Sequence, residues 1–162
     1  MILTSPGYLD LLRTNKTFAR LWGSNMILYI GDWFTVLAMF LLAGDATDNS
    51  PLAIAGVLAV RSFTFAPLEP ITGMLADRYP RKYLMVIANL FSFCVLLSFI
   101  LTDVLDNLFS VYALTILLVV GRAIYDPAGT AYLPTICSEE ELLTANALVL
   151  SLIHISEPTR RS

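Results

Sequence analysis

Residues Gly73 to Lys82 read GMLADRYPRK, set between two long apolar runs, Leu52 to Ala76 leading into it and Tyr83 to Thr102 following it. A helix rising 1.5 Å per residue needs about 20 predominantly apolar residues to cross a hydrocarbon core of about 30 Å. The decapeptide therefore reads as a tight, basic connection between two membrane-spanning helices. Working outward, a further run precedes the pair at Leu21 to Ala43, another follows at Leu108 to Leu133, and one more opens near Ala147. The first run holds one charge, Asp32. The second holds Arg61 and Glu69, the third none, and the fourth Arg122 and Asp126 towards its end. This pattern predicts an all-α membrane protein with four complete spans, about 21–43, 52–76, 83–102 and 108–133, and the start of a fifth from about 147.

Composition agrees. Of 162 residues, 57% are hydrophobic and 14% charged, against roughly 25% charged in soluble domains. At a mean hydropathy of +0.72 a soluble core would have to bury nearly every helix on all sides, which a chain of this size cannot do. The net charge of −3 is small and the basic residues are dispersed, so a nucleic-acid partner is excluded. The chain has no G-x-x-x-x-G-K-[ST] loop, so it carries no ATP-driven step of its own, and nothing calls for a cofactor. Cys94 lies in an apolar run and Cys137 in a polar connection; without a paired spacing they read as packing or loop residues and no metal site is indicated.

Basic residues are retained on the cytoplasmic side of short membrane loops. Arg13, Lys16 and Arg20 precede the first span, and Arg78, Arg81 and Lys82 join the second to the third, whereas the connections GDATDNSP and DVLDN contain no Lys or Arg. Residues 1–20 therefore read as a cytoplasmic N-terminal segment, with the second-to-third loop on the same side of the inner (plasma) membrane. The segment ICSEEELLTAN returns to that side; Ser138 and Glu141 have the spacing of a capping box opening a short helix, and the acidic run reads as a solvated face.

The loop from Gly73 through Asp77, Arg78, Arg81 and Lys82 resembles the G-x-x-x-D-R-x-G-R-K signature of the major facilitator superfamily, with Pro80 where many members have Gly. Proline, with φ fixed near −65°, still suits a tight turn. The stretches NKTFARLWGSNMILYIGDWF, GRAIYDPAGTAYLP and ELLTANAL are similar to drug-type exporters of that family, including macrolide and siderophore efflux proteins. The resemblance implies two six-helix halves built from three-helix repeats around a midplane cavity. Residues 21–149 would then form part of the N-terminal half. It also implies proton-coupled efflux of small amphipathic compounds by alternating access, with a small molecule, protons, the bilayer and the remaining C-terminal half as partners. Lipid or nutrient transport, or a non-transporting receptor, are the alternatives; an enzyme is not expected, since the only histidine is His154.

Ionisable residues at membrane depth must pair, snorkel or line a wet cavity. Asp32 stands eleven residues into the first run, roughly 17 Å at helical rise, and is a candidate for proton exchange or for a static pair with Arg61. Arg122 and Asp126, four apart, share a helix face and can pair; the resemblance links Arg122 to proton transfer. Pro127 predicts a kink. Glu69, between Pro67 and Pro70, can join Asp77 and Arg81 or reach headgroups. Gly73 permits a close helix approach, and Asp77 beside Arg78 and Arg81 can form a charge cluster. The family implies that Asp77 latches this half against a helix N-terminus of the other half. Residues 150–162 (LSLIHISEPTRRS) resemble a translated transposase-type sequencing adapter and are expected to be non-native, which removes His154 from any mechanism.

Overall fold

The computed structural model describes residues 7–102 and 107–154, and these are helical almost throughout, with no strand among them. Six helices follow in order: α1 (Tyr8–Thr14), α2 (Lys16–Asp45), α3 (Pro51–Arg78), α4 (Arg81–Thr102), α5 (Leu108–Ile136) and α6 (Glu139–His154). Apolar sequence in lipid has no water to satisfy its backbone, so each run closes its own hydrogen bonds as helix. Helices α2 to α5 are each long and apolar enough to cross a membrane. The four expected spans are present, and α2, α3 and α4 extend into the basic residues that flank them.

Two features differ from the sequence reading. Residues 8–14 form a short helix inside the expected N-terminal segment. The expected short capped helix and the expected start of a fifth span are one continuous element, α6, because ELLTANAL carries no breaker between them. The capping box forms its carboxylate half: the Ser138 backbone N–H donates to Glu141 Oε2 at 2.9 Å. The connection at residues 103–106 and the tail at 155–162 lie outside the described residues.

The turns follow from their residues. Between α2 and α3, Asp48 and Asn49 have φ of 50° and 62°, the left-handed region that Asp and Asn tolerate best among side-chain-bearing residues, and the Asn49 N–H returns to the Gly44 carbonyl at 2.8 Å. Between α3 and α4 only Tyr79 and Pro80 intervene. The Pro80 carbonyl accepts from Tyr83 N–H at 2.9 Å, so the proline sits just ahead of the new helix where its missing N–H costs nothing.

Two compact units divide the chain, one of residues 1–33 and 132–162, the other of 34–131. In the second, Met39, Ala43, Val57, Val95, Val111 and Leu114 form the core. Glycine matters at two close approaches there. A Cβ on Gly56 would overlap the Tyr112 hydroxyl, and one on Gly121 would overlap Ser92 Oγ. At Gly73, where the sequence permits a close approach, a Cβ would meet nothing within 4 Å. In the first unit Leu11, Phe18, Leu133, Cys137 and Ala145 pack together, joining α1, the starts of α2 and α6, and the end of α5.

Candidate functional site

On α3, Phe65, Glu69, Gly73 and Asp77 recur every fourth residue and so share one helix face. With Asp126 and Thr130, four apart on α5, they line a groove of about 520 Å³. Three carboxylates, Glu69, Asp77 and Asp126, open into this one space. Asp126 is ion-paired: both of its oxygens stand 3.0 Å from Nε of Arg122. The Arg122 guanidinium carbon also lies 5.8 Å from the centroid of the Tyr125 ring, within cation–π range. The i,i+4 pairing expected from sequence is present.

The decapeptide does not act as one cluster. Gly73 and Asp77 face the groove. Arg81 turns instead to α5, where its Nη1 donates to the Ala131 carbonyl at 2.7 Å. Arg78 and Lys82 are exposed. Among the described residues Asp77 makes no hydrogen bond or ion pair, so the expected Asp77–arginine cluster is replaced by a division of labour: the carboxylate is left open to the groove and Arg81 ties the first turn of α4 to α5. The reason is geometric. Asp77 lies in the last turn of α3 and Arg81 opens α4, and Arg81 meets the Ala131 carbonyl rather than the carboxylate.

Glu69 shares the groove with Asp77 but not with Arg81. Its neighbours Pro67 and Pro70 lie inside α3 without ending it. Each lacks the N–H of a helical bond, while the nearby Thr72 hydroxyl donates to the Leu68 carbonyl at 3.0 Å. Helix α5 likewise runs on through Pro127 to Ile136. Arg61 lines a separate small pocket with Thr35 and Thr115. Asp32 is half-buried near the middle of α2. Sequence reasoning missed Phe65, Thr130 and the Ala131 carbonyl. Thr130 stands four residues after Asp126, a spacing that could have flagged it, whereas a backbone acceptor carries no residue signature.

Comparison with known proteins bears on this arrangement. The Major Facilitator Superfamily profile matches residues 21–157, a stretch that contains the whole groove. The chain belongs to that superfamily. An uncharacterised MFS-type transporter of Bacillus subtilis (strain 168), YfiS, is 32% identical over 80 residues, covering 49% of this chain and 19% of that relative. The matched stretch is thus under a fifth of the relative's length. No solved structure matches. Family and spans together make this a multi-pass membrane protein of a transporter superfamily, whose members move small molecules across the bilayer.

Proposed function

We propose that the chain forms the N-terminal part of a secondary active exporter that moves small amphipathic compounds by alternating access, driven by proton antiport. The observation that supports this reading most directly is the groove between α3 and α5, where the signature carboxylate Asp77 and the ion-paired Asp126 open into the same space. Protonating Asp126 would cancel its charge and release Arg122, leaving the guanidinium to the Tyr125 ring. Deprotonation would restore the pair. That exchange is a local charge change of the kind that biases a two-state element. Asp77 serves the cytoplasmic gate, receiving a helix end from the C-terminal half, and Gly73 keeps that wall of the groove open. Arg78, Arg81 and Lys82 share a side of the membrane with Arg13, Lys16 and Arg20, which favours a cytoplasmic N-terminus. Asp32, near the middle of its span, is the second proton carrier, and Arg61 and Glu69 are further charges at membrane depth.

One set of vesicles tests both roles. Asp32→Asn and Asp126→Asn in the full-length transporter are expected to abolish drug-driven proton exchange while drug binding persists, and Asp77→Asn to shift the inward/outward ratio in thiol labelling. Proton exchange unchanged in both aspartate variants would overturn the coupling, and an unchanged labelling ratio would overturn the gate.

A further inference from the structure

The first unit contains a polar junction that the groove does not use. Asn15 stands between α1 and α2, and its Oδ1 accepts from the Phe18 N–H at 3.0 Å, capping the start of α2. Its Nδ2 donates to the Ile136 carbonyl at 2.7 Å, the last residue of α5. The same nitrogen reaches Glu141 Oε2 at 3.3 Å, the oxygen that accepts the Ser138 N–H ahead of α6. One amide thus meets three helix ends at once, across sequence separations of 121 and 126 residues. Helix ends carry backbone groups with no partner inside their own helix. Here one donor of α2, an acceptor of α5 and, through Glu141, a donor ahead of α6 are satisfied through one side chain. Directly against this junction, Leu11 of α1 (1% exposed) packs with Phe18, Leu133, Cys137 and Ala145.

We infer that Asn15 is a positioning residue that locks the adjoining ends of α2, α5 and α6 into one body, so that these three helix ends move together when the transporter changes state. An amide is the side chain this task needs. It must accept from one N–H while donating to a carbonyl and a carboxylate, and neither Asp nor Ser offers both an acceptor and two N–H donors. The lock is a property of the folded chain and stands whether or not the cargo reading above holds.

Cys137 supplies the probe. It is buried inside the apolar cluster (8% exposed), and burial, with Glu141 nearby, pushes its thiol above the usual range. In the closed junction it is shielded from reagents and short of thiolate, so its labelling reports local opening. The experiment uses the full-length transporter in native membranes, with Cys94→Ser and any other thiol removed, and follows the rate of N-ethylmaleimide reaction. That reagent crosses membranes, so orientation does not enter. Asn15→Asp keeps the cap on α2, because aspartate is a good N-cap, but removes the donor to Ile136 and sets a second carboxylate against Glu141.

The expected result is labelling of Cys137 about tenfold faster, the equivalent of ~1.4 kcal/mol and of the size expected for one lost hydrogen bond, with the global melting temperature unchanged. Adding Glu141→Gln, whose amide can donate to the introduced carboxylate while its oxygen accepts from the Ser138 N–H, should recover part of the protection. A rate equal to wild type in Asn15→Asp would overturn the proposal. So would a faster rate accompanied by an equal loss of global stability, since Asn15 would then be an ordinary stabiliser rather than a local lock.

Discussion

Gly56 on α3 faces the Tyr112 hydroxyl of α5, which itself donates to the Ala53 carbonyl at 2.9 Å. A methyl at Gly56 would overlap that hydroxyl and stand 3.0 Å from the ring carbon bearing it. Replacing a mid-helix glycine by alanine in open space stabilises by about 0.5–1 kcal/mol, whereas forcing extra volume into a packed contact costs about 1–3 kcal/mol. Gly56→Ala should therefore destabilise by ~1–2 kcal/mol. Tyr112→Phe alone forfeits one hydrogen bond, about 1 kcal/mol. If the two sites were independent, the double variant would lose the sum. The geometry says otherwise: without the hydroxyl the worst overlap is gone, and the half-buried ring can give by the few tenths of an ångström that remain. Gly56→Ala/Tyr112→Phe should thus be no less stable than Tyr112→Phe alone, a coupling of ~1–2 kcal/mol in a double-mutant cycle. The measurement is equilibrium unfolding of the purified transporter in mixed micelles, followed by tryptophan fluorescence. Additive losses would refute the claim that Gly56 is held by the Tyr112 hydroxyl.

Arg81→Ala should cost about 1 kcal/mol, below the usual range of about 1.5–3 kcal/mol for a hydrogen bond to a charged group because Arg81 is half exposed, and should loosen α4 from α5; amide exchange in the first turn of α4 would rise, and unaltered protection would refute the tie. Cys137 gives a pH signature. Its thiol is raised in the folded chain by burial and, secondarily, by Glu141, so the folded state holds a proton that the unfolded state gives up. The stabilisation is full below the ordinary thiol range, about 8.5, and is lost as pH rises through the raised value. Cys137→Ala should flatten that alkaline decline, and an unchanged slope in thermal melts would count against it.

Much of the fold was legible because the solvent is so demanding. A run such as Tyr83 to Thr102, without a charge, can satisfy its backbone in lipid only as a helix, so span number and approximate bounds follow from hydropathy alone. The i,i+4 pair of Arg122 and Asp126 was legible for a similar reason, since both partners lie on one helix and helical spacing fixes their face. The charge cluster expected around Asp77 was not. Proximity along the chain suggested it, but the turn at Tyr79 and Pro80 separates the last turn of α3 from the first of α4. That Pro80 suits a tight turn was visible in the sequence; that only Tyr79 and Pro80 separate the two helices was not. Gly73 makes the same point: a glycine permits a close approach without stating that a neighbour comes.

By itself, then, the sequence determined that this is a multi-pass helical membrane protein with four long apolar spans, and it showed in Gly73 to Lys82 a resemblance to the superfamily's signature. Tertiary structure alone decided that Glu69, Asp77 and Asp126 share a groove, that Arg81 spends its charge on the Ala131 carbonyl, and that Asn15 ties helix ends more than 120 residues away. The physical reason is the difference in range between the two kinds of information. Hydropathy and helical periodicity act over a few turns and are written in neighbouring residues, whereas a bond to a backbone carbonyl on another helix depends on how helices pack, and the accepting residue's identity says nothing about it.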